Sequence, residues 1–304
     1  MSASKASRAG ATYAALAYVL WGLFPLYFRQ LAHVPALDVL VHRVVWSLVF
    51  VLALLGARRQ WEWLADALRR PRVLGAFAAS ALLLSANWLT YIWAVTHGHV
   101  VDASLGYFIT PLVNVLLGTT FLHERLRPAQ WTAVGLAAAG VLWLAVQGGG
   151  PPWIALVLAA SFGGYGLLRK TAPLGALEGL ALETMLLAPF AFILLVSDTM
   201  HPGGSFPSPD AITNALLVCI GPVTAVPLLL FAAGARRIRM STLGLLQYVA
   251  PSIQFVLGVW LFSEPFTSAR TVGFGLIWLA LAVYSVEGWR QTAGARTAPV
   301  LEPD

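Results

Sequence analysis

Ten apolar stretches, each about as long as a bilayer is thick, follow one another along this chain of 304 residues. A membrane-spanning helix needs roughly 17 to 25 mostly apolar residues. Charged residues make up only 11% of the chain, whereas soluble domains carry about a quarter. We therefore predict an all-α integral membrane protein with ten transmembrane helices, at 11–29, 36–56, 73–95, 103–122, 129–147, 153–169, 176–197, 211–234, 242–262 and 268–288.

The basic residues predict the orientation of these helices. If both termini are cytoplasmic, the inner segments collect most of the lysines and arginines, as the positive-inside rule requires. Arg29 and Arg270 lie near the outer ends, and Arg43 lies within a span. The inner segments hold Lys5, Arg8, Arg58, Arg59, Arg69, Arg70, Arg72, Arg125, Arg127, Arg169, Lys170, Arg236, Arg237, Arg239, Arg290 and Arg296. The same scatter between apolar runs argues against a nucleic-acid partner, despite the formal net charge of +6.

The two halves of the chain resemble each other at a shift of 140 residues. TPLVNVLLGTTFLHERL then lies over APSIQFVLGVWLFSEPF, and LDVLVHR lies over LEGLALE. The matched pairs include Pro111 with Pro251, Gly118 with Gly258, Glu124 with Glu264, Gly135 with Gly275, Asn114 with Gln254, and Arg43 with Glu183. Five spans is an odd number, so the second copy must be inverted relative to the first. Inverted repeats are a transporter architecture with the binding site near the midplane between the halves.

These patterns divide the chain into four parts. A cytoplasmic N-terminal tail covers 1–10, and a first five-helix repeat covers 11–148. A second five-helix repeat covers 149–288, and a cytoplasmic C-terminal tail covers 289–304. Within the second repeat, SFGGYG in the span 153–169 is expected to unwind the helix locally.

Eight motifs in order resemble the RarD group, in the EamA branch of the drug/metabolite transporter superfamily. They are YVLWGLFPLYFRQL, HRVVWS, NWLTYIWAV, ASLGYFITPLVNVLLG, HERL, SFGGYGLLRK, ETMLLAPF and LLQYVAPSIQF, between about residues 12 and 288. The resemblance implies a bacterial inner-membrane protein that exports small molecules, and RarD members are commonly described as chloramphenicol-sensitivity or chloramphenicol-resistance permeases. It also implies a cavity lined by spans one to four and six to nine, with spans five and ten packed behind. In span five, Gly135 and Gly140 are suited to close helix contact.

Arg43 lies inside the predicted span 36–56, where a charged side chain is unfavourable. Its guanidinium does not lose its proton, and burying it in hydrocarbon is costly. It lies five residues beyond Asp38, about 7.5 Å along a helix. One interpretation is that it snorkels outward or forms a fixed ion pair. The other is that it recognises an anionic or carbonyl-bearing group of a substrate, because a guanidinium offers a fork of donors.

Glu183 is the counterpart of Arg43 in the second repeat. Inversion places the two residues at equivalent depths from opposite faces, so roughly 15 Å separates their backbone levels in a core of about 30 Å. A direct pair would neutralise both charges, but a water or substrate bridge is at least as plausible. Glu183 is also the best candidate proton carrier, and His42 is the second. The alternative for both residues is that they are polar helix-packing groups.

Aromatic and amide side chains supply the remaining candidates for a substrate path. Tryptophan and tyrosine also anchor helices at membrane interfaces, so part of this set is expected to be structural. The candidate lining residues are Trp21, Asn87, Trp88, Tyr91, Tyr107, Asn114, Tyr165, Gln247, Tyr248 and Gln254. Asp38 and Asp102 are expected to cap helices at the outer surface.

Metal and nucleotide chemistry find no support in the motifs. HGHVVD places His97, His99 and Asp102 in one short turn, but without a fourth ligand nearby, so we predict no metal site. No phosphate-binding loop or catalytic serine or zinc-protease motif is present, so we predict no cofactor and no enzyme.

We therefore expect a secondary transporter of small organic molecules that works by alternating access, coupled to protons, as a monomer or homodimer in the lipid bilayer. The alternatives are a membrane-embedded enzyme and a non-transporting sensor or accessory protein.

Overall fold

A computed structural model of the protein describes residues 3–59, 61–123, 127–147, 150–201, 204–235, 237 and 246–297, and these form helices joined by short turns. The helices are α1 (Ala3–Arg29), α2 (Ala36–Arg58), α3 (Glu62–Leu68), α4 (Pro71–Thr96), α5 (Val100–Leu122), α6 (Pro128–Gln147), α7 (Trp153–Thr171), α8 (Ala176–Met200), α9 (Ala211–Ala235), α10 (Val249–Val256) and α11 (Ser268–Thr297). Helix α10 continues as a π-helical turn over Leu257–Leu261.

Eight helices in the described ranges are long and apolar enough to cross a membrane. Two shorter apolar helices, Trp153–Arg169 and Val249–Leu261, fall on the predicted sixth and ninth spans. The prediction of an all-helical membrane protein is therefore confirmed, while the count of ten spans stays a prediction. The expectation that SFGGYG unwinds is wrong, because α7 is helical throughout. A built Cβ on Gly163 would lie 2.8 Å from Val113 Cγ1, so this glycine serves close packing of α7 on α5.

Some sequence assignments concern residues outside the described ranges. Glu124, Arg125, Arg239 and the start of the predicted ninth span, 242–245, all lie there. Of the matched pair Glu124 and Glu264, only Glu264 therefore lies in the described part of the chain.

The aspartates expected to cap helices have other partners. Asp38 and Asp102 lie in the first turns of α2 and α5, whose N-cap residues are Pro35 and His99 and make no side-chain capping bond. Asp38 instead accepts a hydrogen bond of 2.7 Å from Ser205. The capping expectation is therefore wrong for both aspartates, because their partners are side chains: Ser205 for Asp38, and His99 and Arg270 for Asp102.

Asp210 performs the capping role at the start of α9. Its carboxylate accepts hydrogen bonds from the backbone N–H groups of Ile212 at 3.1 Å and Thr213 at 3.0 Å. The hydrogen bond from the Thr213 hydroxyl, at 2.7 Å, is the main cause that lowers the pKa of this carboxyl. The acidic side chain also suits the positive end of the helix dipole.

The long helices pack across the two halves of the chain. Helix α1 packs on α9 and α10, while α7 packs on α4 and α5. Helix α2 packs on α8 and α9, and α5 also contacts α10. The two halves are therefore interleaved, and their contacts bury polar residues of several spans between them.

Helices α6 and α11 form a pair beside this bundle, with their most extensive contacts to each other. The indole N–H of Trp143 donates to the Ala269 carbonyl at 3.0 Å across the pair. A Cβ on Gly140 would lie 2.9 Å from the Gly273 carbonyl oxygen and 2.9 Å from Ile277 Cγ1. The predicted close helix contact is thus confirmed for Gly140. It is wrong for Gly135, which has no atom within 4 Å of a built Cβ.

Replacing Gly140 with alanine is expected to lower the stability of the protein, because the added methyl group would meet backbone and side-chain atoms of α11. Overpacking of this kind costs about 1–3 kcal/mol. Gly135→Ala, on the same helix but facing open space, is the matched control and should leave the apparent Tm unchanged or slightly raised. Thermal unfolding of both purified variants checks this, and equal Tm values would contradict the packing of α6 on α11.

Candidate functional site

Two of the buried charged residues lie well inside long helices of the described chain, one from each half. Arg43 on α2 is 4% exposed, and Glu183 on α8 is 1% exposed. Each follows the first residue of its helix by seven positions, which is about 10 Å along the axis. The start of α2 lies at the end of the bundle where α5 also begins. Glu264 contacts the start of α5, so this end is called the Glu264 end. The start of α8 lies where α7 ends, here called the Arg169 end.

Aromatic rings surround the Arg43 guanidinium. Its Cζ atom lies 4.0 Å from the ring centroid of Trp88, 5.6 Å from that of Phe28 and 5.7 Å from that of Phe24. Arg43 and the rings of Phe24, Phe28, Trp88, Tyr91 and Tyr107 form what we call the Arg43 cluster. Its Nε and Nη1 atoms have no hydrogen-bond partner among the described residues. Cation–π contacts therefore provide its attractive surroundings.

Asn87 holds one side of the Arg43 cluster in place. Its side-chain amide donates to the Leu158 carbonyl and to Ser161 Oγ on α7, both at 3.1 Å. The Tyr107 hydroxyl in turn donates to Asn87 Oδ1 at 3.1 Å. The amide thus ties α4 to α7 and orients one tyrosine of the cluster.

Glu183 has different surroundings at the Arg169 end. The Ser80 hydroxyl on α4 donates to Glu183 Oε1 at 2.5 Å, and Arg169 Nη1 on α7 lies 3.9 Å from the same oxygen. The second oxygen, Oε2, has no hydrogen-bond partner among the described residues. Arg169 also lies over the Phe77 ring at 5.2 Å and donates to the Gly175 carbonyl at 2.8 Å. Glu183, Ser80, Arg169 and Phe77 are called the Glu183 cluster below.

The basic partner of Glu183 is thus Arg169 and not Arg43. The sequence pattern places Arg169 among the inner-surface basic residues. A signal for its pairing was present, because a turn of only four residues, 172–175, separates α7 from α8 and brings both side chains to the same end. No sequence pattern singled out Ser80, which reaches Glu183 from the other half of the chain.

His42 is 1% exposed and serves as a hydrogen-bond acceptor. Its Nδ1 atom accepts the indole N–H of Trp46 at 3.1 Å, and the Phe206 ring packs against the imidazole with centroids 4.8 Å apart. The other nitrogen, Nε2, has no partner among the described residues. An imidazole that accepts through Nδ1 carries its proton on Nε2 in the neutral form.

The other predicted lining residues lie at several separate places. Trp21 packs between Tyr18 and Phe231, and its carbonyl accepts a hydrogen bond of 3.1 Å from Gln254 on α10. Asn114 is exposed beside Gly163 of α7. Tyr165 is half-buried against Phe162 and close to the Glu183 cluster. Gln247 and Tyr248 are half-buried just before α10. Only Trp88, Tyr91, Tyr107 and Asn87 therefore join Arg43 in one group.

Glu264 forms a contact between the halves that sequence reasoning did not find. Its carboxylate accepts the backbone N–H groups of Val100 at 2.6 Å and Val101 at 2.8 Å, at the start of α5. Burial raises the pKa of this carboxyl, while the two N–H donors act in the opposite direction. Beside it, Arg270 lies 3.2 Å from Asp102. Two contacts thus connect α5 to the segment around α11 at the Glu264 end.

A cleft of about 270 Å³ opens at the Glu264 end, apart from Arg43 and Glu183. Trp93, His99, Asp102, Trp153 and Arg270 are among its lining residues. It is slightly smaller than the sites that usually hold drug-sized ligands. No group of three or more His, Cys, Asp or Glu side chains in the described ranges is arranged to hold a metal ion. The HGHVVD turn instead stacks His97 and His99 against Trp93.

Comparison with known proteins identifies the family. Residues 8–146 match the model of the EamA-like transporter family. A Pseudomonas aeruginosa protein named uncharacterized transporter is 47% identical over 286 residues, 93% of this chain and 95% of its own. Protein RarD of Escherichia coli is 44% identical over 93% of this chain and 97% of its own. A chloramphenicol-sensitive protein RarD of Pseudomonas aeruginosa is 34% identical over 90% and 91% of the two chains. The chain therefore belongs to the RarD group of the EamA-like transporter family, as a multi-pass membrane protein.

Proposed function

We propose that the protein is a proton-coupled secondary transporter that exports small organic metabolites or drugs across the bacterial inner membrane. Two inverted repeats of five spans, 11–148 and 149–288, enclose the substrate site and expose it alternately to the two sides. Both termini, 1–10 and 289–304, lie in the cytoplasm, because that orientation places most lysines and arginines inside. The protein works as a monomer or a homodimer.

The packing of the helices supports the inverted repeat. Exchanging the two halves equates α1 with α7, α2 with α8, α4 with α9, α5 with α10, and α6 with α11. Under this exchange the contact of α1 with α9 becomes that of α7 with α4, and both are present. The contact of α1 with α10 likewise becomes that of α7 with α5. A two-fold relation between the halves accounts for each of these pairs.

The observation that carries the proposal is the burial of Arg43 and Glu183 at matching positions of the two halves. Both lie among interleaved helices, and neither neutralises the other. Charged side chains inside membrane spans are costly, and where they occur they commonly mark substrate or proton pathways. Several relatives are named uncharacterized transporters, and the matching family model is that of EamA-like transporters, which favours this role over that of an enzyme or a sensor.

Glu183 is proposed to carry the coupling proton. In its ionised form the carboxylate pairs with Arg169 and accepts the Ser80 hydroxyl. In its protonated form it no longer holds Arg169, which keeps the Gly175 carbonyl as acceptor. Because Ser80 lies on α4 and Arg169 on α7, a change at Glu183 alters contacts between the halves. Proton binding can thus be linked to opening of the Arg169 end.

His42 is a second candidate for the proton. A proton added at Nδ1 would displace the Trp46 indole N–H, which now occupies that lone pair. The proposal therefore places coupling at Glu183 and gives His42 the role of holding α2 next to the segment that contains Phe206.

Counterflow in proteoliposomes tests the proposed function. Labelled chloramphenicol is one probe, because a relative is named chloramphenicol-sensitive. Labelled benzoate, a small aromatic carboxylate, is the other probe. Liposomes preloaded with unlabelled probe are expected to take up label faster than unloaded ones, without ATP. Uptake equal to that of protein-free liposomes for both probes would contradict the proposal.

A further inference from the structure

We infer that the Arg43 cluster binds the carboxylate of a small organic anion whose body is planar and apolar. The inference rests on the proposed function only in identifying this anion as the transported substrate. It narrows the substrate from small organic molecules in general to aromatic or similarly flat carboxylic acids, which are ionised at neutral pH.

The charge of the cluster is the first argument. The guanidinium keeps its proton, and no described carboxylate lies within 4 Å of it. The titratable side chains that face it are the phenols of Tyr27, Tyr91 and Tyr107. Tyr27 already donates its hydroxyl to the Leu216 carbonyl on α9. The cation–π contacts supply no negative charge, and a buried charge without an ionic partner is strongly destabilising, so a negative group that binds here supplies a partner that the protein itself does not provide.

Arg169, a half-buried arginine of the same bundle, has different partners. Arg169 is 16% exposed on its side chain, pairs with Glu183, and donates to the Gly175 carbonyl. Arg43 has neither kind of partner among the described residues on Nε and Nη1. Arg169 Nη1 also lacks a hydrogen-bond partner among the described residues, but a carboxylate lies 3.9 Å from it, whereas no described carboxylate faces the free Nε and Nη1 donors of Arg43.

The donors of the cluster favour a carboxylate. An arginine has five N–H donors and no acceptor, and the buried Tyr91 hydroxyl also has no partner among the described residues. A carboxylate is a planar acceptor that matches a guanidinium fork. A phosphate dianion is disfavoured, because Arg43 is the only cationic group among the described members of a cluster that is otherwise aromatic.

The rings of the cluster favour a flat apolar body. Trp88 presents its face to the guanidinium, and Phe28 meets Tyr91 edge-on with ring centroids 5.9 Å apart. Tyr91 and Tyr107 are 5.8 Å apart and tilted by 58°. Rings at such angles offer both faces and edges, which are the surfaces against which a planar ligand packs.

Equilibrium binding to the purified full-length chain tests this assignment. The probes are benzoate and indole-3-acetate, each compared with its uncharged amide, and chloramphenicol as a further uncharged compound. Each carboxylate is expected to bind about tenfold or more tightly than its amide, since charge-assisted hydrogen bonds to arginine are then formed. Arg43→Gln should abolish this preference, and Arg43→Lys should retain part of it. Arg29→Gln, which removes an exposed arginine outside the cluster, should leave the preference intact.

Three results would overturn the inference: amides that bind as tightly as the acids, a folded Arg43→Gln variant with unchanged preference, or no binding of either acid. If Arg43→Gln does not fold, Tyr91→Phe takes its place and should weaken binding of both acids but not of chloramphenicol. Other results would contradict the proposed function without contradicting this inference, and the reverse. Selective binding without counterflow would leave the anion site and remove transport, whereas counterflow of chloramphenicol alone would leave transport and remove the anion site.

Discussion

Replacing Glu183 with glutamine is expected to abolish accumulation of substrate driven by a pH gradient, while counterflow continues. Glutamine has nearly the same shape and can still accept the Ser80 hydrogen bond. It cannot exchange a proton or form an ion pair with Arg169. The cycle would then proceed only in the direction set by the substrate gradient, so the coupled component should be lost almost completely.

The measurement compares pH-driven uptake and counterflow in the same proteoliposomes. Glu178→Gln is the matched control, because Glu178 lies five residues earlier on the same helix and is only half-buried. It should keep both activities. A Glu183→Gln variant that still accumulates substrate against its gradient would show that the proton is carried elsewhere, and His42 would be the next residue to test.

Replacing Glu264 with alanine is expected to weaken the contact between the halves at the Glu264 end. The change leaves the backbone N–H groups of Val100 and Val101 without their acceptors. Buried donors left without partners cost about 1–3 kcal/mol each, and loss of negative charge at a helix start adds to this. Glu264→Gln retains an acceptor oxygen and should have an intermediate effect.

Hydrogen exchange provides the direct measurement for Glu264. The amides of Val100 and Val101 should exchange faster in Glu264→Ala, and the apparent Tm should fall. Glu62→Ala, which removes an exposed carboxylate at the first turn of α3, is the control and should change neither quantity. Unchanged protection at the start of α5 would show that this carboxylate does not hold the helix.

The helices could be predicted because each is encoded locally. In a bilayer the backbone must satisfy its own hydrogen bonds, so an apolar run of sufficient length becomes a helix. That reasoning located α2 despite Arg43 within it. It was wrong about SFGGYG, because the small residues there allow close packing against α5 without breaking the helix.

Details that depend on helix rotation were not accessible from the sequence. Gly135 and Gly140 look alike in a run of small residues, yet only Gly140 faces α11. The five-residue spacing determines which side of α6 each one occupies, and the direction of the partner helix decides which side is buried.

The candidate site was predictable in its charges but not in its partners. The repeat match identified Arg43 and Glu183 as counterparts, and both prove to be buried. Their neighbours come from helices distant in the sequence: Ser80 reaches Glu183 across 103 positions. The sequence identifies Glu264 only as a repeat match. Its hydrogen-bond donors are backbone N–H groups, and these leave no pattern of side chains in the sequence.

Distance measurements between the two halves test the central claim, which is that the two ends open alternately. Cysteines for spin labels at His97 and Ser268 report on the Glu264 end, and cysteines at Arg69 and Pro173 report on the Arg169 end. All four positions are exposed, and Cys219→Ser removes the native thiol. Between acidic and neutral pH, and on addition of benzoate, we expect one distance to lengthen as the other shortens. Distances that stay fixed, or that change in the same direction, would contradict alternating access.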